Sequence, residues 1–173
     1  MTSPEHIIKP TNTEESKIWE LLEQVTDPEI PVLSILDMGI VHEVRVSGKE
    51  AEVVITPTYS GCPAMDMIAM NIRIHLMQHG YENVIVRSVL SPVWTTDRMT
   101  ESGKKKLQQF GIAPPQELST RANKLLFSDE IAVECPRCHS NDTRLLSQFG
   151  STACKALYQC NSCKEPFDYF KCH

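Results

Sequence analysis

The apolar residues of this chain change their spacing along its length, and the changes mark out its elements. Ile18, Leu21, Leu22 and Val25 recur every three or four positions, which predicts a short helix over residues 13–25. Thr11 and Asn12 stand three residues before Glu14 and Glu15, two registers of a capping box that would start it. Asp27-Pro28-Glu29-Ile30-Pro31 stops it, because a residue before proline is pushed out of helical conformation. Over residues 40–46 the pattern switches to alternation and reads as a strand; Gly48 turns the chain, and residues 51–56 return as a second strand. Residues 63–79 restore the helical period, with Met65, Ile68, Ala69, Ile72 and Leu76 in one apolar stripe and Gly80 to close it. Residues 84–90 read as a third strand, and a last helix begins near Thr100 and ends by Phe110-Gly111. The order helix, hairpin, helix, strand, helix predicts an α+β fold, a small two-layer α/β sandwich over residues 13–112.

The pattern then lapses. Residues 113–130 hold Pro114-Pro115 and mixed polar positions, and read as a linker with a helical turn near residues 121–127. From residue 131 cysteines dominate, and residues 131–173 are expected to form a zinc-ribbon-like β module.

That module carries the strongest chemical signal. Cys135-Pro136-Arg137-Cys138 and Cys160-Asn161-Ser162-Cys163 are two Cys-x-x-Cys pairs with twenty-one residues between them. Two thiolates two residues apart can turn onto one ion, and a second pair completes a tetrahedron. Four soft, negative sulfurs select zinc or an iron–sulfur centre over magnesium or calcium. The sequence leaves the choice between them open; structural zinc is the expectation. Cys138-His139 completes a c-type haem attachment pattern, which the second pair and the lack of an export signal argue against.

Cys62 is a different kind of candidate. Thr56-Pro57-Thr58-Tyr59-Ser60-Gly61-Cys62-Pro63 leaves a strand and enters a helix, and proline favours the first helical position. A thiol at or beside the N-cap faces unpaired backbone N–H groups and the positive end of the helix dipole, so a lowered pKa and a reactive or metal-binding thiolate are expected. The bland alternative is a small buried residue. Asp27, Glu29 and Asp37 precede the hairpin; as carboxylates they could ligate iron or orient a thiol, or merely cap turns beside proline. The sequence does not place them near Cys62.

Cys154 and Cys172 remain. If residues 154–160 fold against 166–172 about Cys163, Tyr158 opposes Asp168 and Cys154 opposes Cys172, with His173 beside them. Cys154, Cys172 and His173 are therefore a candidate second thiol or metal pair, set against the alternative of two small buried cysteines. A slip of one residue would put the two thiols on opposite faces.

Composition narrows the function. The 173 residues are 41% hydrophobic and 23% charged, which suits a folded protein of one ordinary and one small domain. The net charge of −5 offers no basic field for nucleic acid or an anionic membrane, and the ribbon has too few cations to neutralise many phosphates. No run of eighteen apolar residues occurs, and the first residues have neither a basic nor an apolar leader segment, so a cytoplasmic location with reduced thiols is expected. No Glu-x-x-His pair is present for a diiron carboxylate bundle, and there is no Gly-rich dinucleotide fingerprint.

Asp27-Pro28-Glu29-Ile30-Pro31, Asp37-Met38-Gly39-Ile40-Val41, Gly61-Cys62-Pro63 and Pro92-Val93-Trp94 resemble the MIP18-like domain of SufT-type iron–sulfur assembly proteins. Together with the cysteine-rich tail, the whole chain resembles the PaaD family, the D proteins of the phenylacetyl-CoA epoxidase system. The resemblance implies an accessory role in phenylacetate degradation, in maturing a metal centre or as a non-catalytic stoichiometric subunit. It places the family's cysteine on Cys62 and its acidic loop on Asp27, Glu29 and Asp37. It implies iron or an iron–sulfur unit held transiently at Cys62. The implied partners are the oxygenase components, the iron–sulfur flavoprotein reductase and the iron–sulfur assembly machinery, and a homodimer stays open.

Overall fold

The computed structural model of the protein describes residues 12–59, 61–116 and 133–171. The helical turn expected at 121–127 lies outside them. The chain falls into two compact units, Met1–Thr100 and Glu101–His173.

In the first unit, helix α1 (Thr13–Leu22) starts where Asn12 accepts the Glu15 N–H in its side chain at 2.9 Å, one of the two capping registers. It ends three residues early. Gln24 and Val25 donate to Leu21 and Leu22 in tightened turns, which release the chain towards Pro28 while keeping Val25 in the core. The Asp27–Pro31 segment then folds on itself: Asp27 Oδ1 accepts the N–H groups of Glu29 and Ile30, both at 2.8 Å, and Asp27 N–H reaches Leu33 O. Ile30, Leu33, Ile35, Met38 and Ile40 go inward from this loop. Gly39 is in the left-handed region (φ 65°), and a Cβ there would lie 2.1 Å from the Arg98 carbonyl oxygen, so only glycine fits.

The hairpin forms as its alternation predicts. Strands β1 (Val41–Ser47) and β2 (Glu50–Ile55) pair antiparallel, with a bulge between Val41 and Glu43. Helix α2 (Ala64–Gln78) carries the chain back to β3 (Asn83–Ser88), parallel to β2, and the sheet order is β1-β2-β3. α2 buries Ala64, Ile68, Ile72 and Leu76, while Met65 and Ala69 sit at the margin of that stripe. The return segment is tied to the loop before the hairpin: Trp94 is buried and donates to Met38 O at 2.8 Å, and Thr100 donates to Asp37 through both its N–H and its hydroxyl.

The second unit opens with the last predicted helix, α3 (Glu101–Phe110). It continues into β4 (Ile112–Ala113), a strand that the sequence does not announce, because two residues show no period. β4 pairs parallel to β7 (Pro166–Phe170); β6 (Lys155–Cys160) and β5 (Thr143–Ser147) complete the order β4-β7-β6-β5. Tyr158, Phe167 and Tyr169 pack with Val133, Cys135 and Cys160 into a core of the unit's own. The β6–β7 register differs from expectation by one residue. Leu157 opposes Asp168 and Tyr158 opposes Phe167, because the turn is closed by Cys160 N–H on Glu165 O with Lys164 in the left-handed region. Among the described residues no helix is long and apolar enough to cross a membrane.

Candidate metal centre and helix-entry thiol

The two Cys-x-x-Cys pairs converge through matching turns. In the first, His139 has φ 59°, its N–H reaches Cys135 O, and Cys135 N–H reaches Ser140 O; in the second, Lys164 has φ 67° and Cys160 N–H reaches Glu165 O. Each knuckle thus reverses four residues after its first cysteine, turning both sulfurs inward. A Ser140–Ser162 hydroxyl contact at 2.8 Å and an Asn161–Asp142 side-chain bond at 2.8 Å tie the knuckles together. The four Sγ atoms all lie within 4.8 Å of one another, with Cys135–Cys163 at 3.8 Å and Cys138–Cys160 at 3.5 Å. Zinc–sulfur bonds of about 2.3 Å at tetrahedral angles put sulfurs about 3.8 Å apart, so this donor set fits a tetrahedral thiolate metal.

The electrostatics agree. The backbone N–H of Cys163 donates to Cys160 Sγ at 3.5 Å and draws that thiol down to about 6, against the effect of burial. For Cys138 the largest single influence, a backbone bond from Ser140, draws the thiol down, but the hydrogens shared with Cys160, Cys163 and Cys135 together with burial outweigh it and push the thiol up to about 12. Without a cation, four sulfurs this close share protons; a divalent ion makes all four thiolates compatible.

Cys62 lies one residue before the N-cap Pro63 of α2 and is half-buried. The helix start does supply donors, since the N–H groups of Ala64 and Met65 both favour the thiolate, yet the pKa is raised, not lowered. Burial is the largest cause, and the charges of Asp27 and Glu29 add to it. The expected low-pKa thiolate is therefore overturned: desolvation and two carboxylates outweigh the helix terminus. The same result brings Asp27 and Glu29 within electrostatic reach of Cys62, which the sequence could not do. Asp37 is committed elsewhere. It is buried, and its carboxylate accepts from Ser34 N–H and the Thr100 hydroxyl. Among the described residues only the four ribbon cysteines bring three or more such donors within 4.8 Å, so Cys62, Asp27 and Glu29 form no closed ligand set.

Cys154 faces Thr152, with Sγ 3.1 Å from its hydroxyl, and its carbonyl accepts from Lys171 N–H at 3.0 Å. The strand partner of Cys154 is thus Lys171 in place of the expected Cys172; Cys172 and His173 lie outside the described residues.

The outer face of α2 is a feature that the sequence patterns above did not single out. Met67, Met70, Ile74 and Met77 are 51, 54, 48 and 56% exposed, on the side opposite the buried stripe. Their three-four-three spacing is visible in the chain as a second apolar stripe, and it makes α2 apolar on both faces.

Comparison with known proteins follows the same division. Residues 119–171 match the PaaD zinc beta ribbon domain family, and residues 15–81 match the iron–sulfur cluster assembly protein family. The chain is 49% identical over 156 residues to an Escherichia coli (strain K12) protein described as the D subunit of 1,2-phenylacetyl-CoA epoxidase, covering 90% of this chain and 92% of that protein. It is 33% identical over 96 residues to an Fe-S protein maturation auxiliary factor of Porphyromonas gingivalis, covering 54% of this chain and 90% of that protein. A solved DUF59 domain of unknown function from Bacillus anthracis superposes with a TM-score of 0.51 at 29% identity, covering 54% of this chain and 90% of the domain.

Proposed function

Because the chain belongs to the family of 1,2-phenylacetyl-CoA epoxidase D proteins, we propose that it serves that system as a maturation factor, delivering iron or an iron–sulfur unit to the epoxidase. Cys62 is the working thiol, and the four-cysteine site is a structural zinc centre, closed to chemistry because no coordination position is left over.

The observation that carries this reading is the electrostatic setting of Cys62. Asp27 and Glu29 oppose a bare thiolate there, but they attract a cation. The thiol is thereby kept protonated and quiet until a metal arrives; metal binding releases the proton and turns the two carboxylates from opposing charges into favourable ones. Such a site suits cargo that must be held and given up. It suits a nucleophile poorly, since a nucleophile needs its thiolate in advance. The exposed methionine face on the helix that starts beside Cys62 supports a protein client, because flexible thioethers adapt to a partner surface.

The test is the iron content of the oxygenase and reductase components made with this chain, without it, or with its Cys62→Ala variant, all purified anaerobically. Client iron falls in the last two cases while the zinc of the chain itself is unchanged. Fully metallated, active client made in its absence would overturn the proposal. The methionine face also favours a second reading, a permanent non-catalytic subunit that buries it. That reading predicts stable co-purification and ordinary client iron when the chain is missing.

A further inference from the structure

Lys155 opens β6 with only 6% of its surface exposed, and its ammonium forms an ion pair with Asp168. Asp168 Oδ2 is 3.6 Å away, beyond the roughly 2.7–2.9 Å of a charge-assisted hydrogen bond. The Lys155 stem is buried while its ammonium stays open to a groove, where a ligand can take its donors. The pair lines a groove of about 360 Å³ on one face of the ribbon sheet, with Phe110, Ile112, Leu157 and Pro166 as apolar walls. Ile112, Asp168 and Leu157 are paired across β4, β7 and β6 and so stand in one row. Asp168 is held in place: Ser151 donates to Oδ2 at 3.0 Å, and Gly150 packs so near that a Cβ there would fall 2.6 Å from Oδ1.

We propose that this groove binds an extended peptide segment of a partner protein, with one peptide group across Lys155 and Asp168 and an apolar side chain against Phe110, Ile112, Leu157 and Pro166. Lys155 offers a donor and Asp168 an acceptor, the complement of an amide C=O and N–H. The two charges already cancel, so a free carboxylate or phosphate drawn to Lys155 would be repelled by Asp168, while a neutral amide meets no such opposition. The proposal stands on the second unit alone and does not depend on the role of Cys62.

The test uses the ¹⁵N-labelled full chain, titrated with the capped dipeptide N-acetyl-Leu-Phe-amide and followed by backbone amide shifts. Saturable shifts are expected at residues 110–112, 155–157 and 167–168, unchanged by excess inorganic phosphate. Lys155→Met keeps the aliphatic stem and should weaken binding by about tenfold, the effect of losing one hydrogen bond to a charged donor. Gly150→Ala, which displaces Asp168, should weaken it as well, and decides the matter if the lysine variant fails to fold. The proposal is overturned by an absence of saturable shifts, by shifts scattered away from the groove, by competition from phosphate, or by undiminished binding in the folded variants.

Discussion

Cys62 shows how little of a thiol's chemistry belongs to its own position. A place at a helix start argues for a thiolate; burial together with Asp27 and Glu29 argues against one, and prevails. Its alkylation rate should therefore reach half its maximum at a pH above that of an ordinary cysteine. Asp27→Asn keeps the oxygen that caps Glu29 and Ile30 but removes the charge, so it should shift that midpoint downward. Peptide-resolved mass spectrometry of iodoacetamide labelling from about pH 7 to pH 10, a range that spans the ordinary thiol pKa, measures both. A midpoint that ignores the substitution would sever Asp27 from the site. Gly39 is the corresponding residue for stability. Gly39→Ala forces a side chain into a left-handed position and onto the Arg98 carbonyl, and should cost at least about 2 kcal/mol in chemical denaturation. Neither effect can be read from neighbours in sequence, since Asp27 and Arg98 reach their targets only through the fold.

At the scale of elements, α2 carries two messages on opposite faces. Ile72 is fully buried, so Ile72→Ala should cost about 2–5 kcal/mol. Met70 and Met77 are more than half exposed, so replacing both with Gln should change stability by less than about 1 kcal/mol while lowering client iron in the delivery assay. Equal delivery by that variant would remove the outer face from the function. Helices and hairpin were legible because their periods run over several residues: α2 and the β1–β2 pair follow their apolar positions closely. β4 and the β6–β7 register were not. A two-residue strand such as Ile112–Ala113 exists only because β7 lies beside it, and the register follows from how Cys160 and Glu165 close the turn at Lys164.

For the whole molecule, two compact units imply two responses to metal removal. The ribbon core includes two of the metal-facing cysteines, Cys135 and Cys160, so stripping the metal removes part of what holds Tyr158 and Tyr169 in place. A strong chelator should abolish the near-ultraviolet signal of those tyrosines while the helical signal of α1 and α2 persists. The purified protein should contain about one zinc, and Cys160→Ser should lose it. Simultaneous collapse of both signals would make the first unit dependent on the metal.

The sequence by itself determined the α+β class, the four-cysteine centre and the identity of the candidate thiol, because local period, Cys-x-x-Cys spacing and a proline-marked helix start act over a few residues. Only the tertiary structure decided which carboxylates act on Cys62, which face of α2 is left uncovered, how β6 and β7 align, and that Lys155 and Asp168 meet in one groove. Charge, burial and strand pairing depend on distances through space between residues far apart in the chain, and those distances exist only once it has folded.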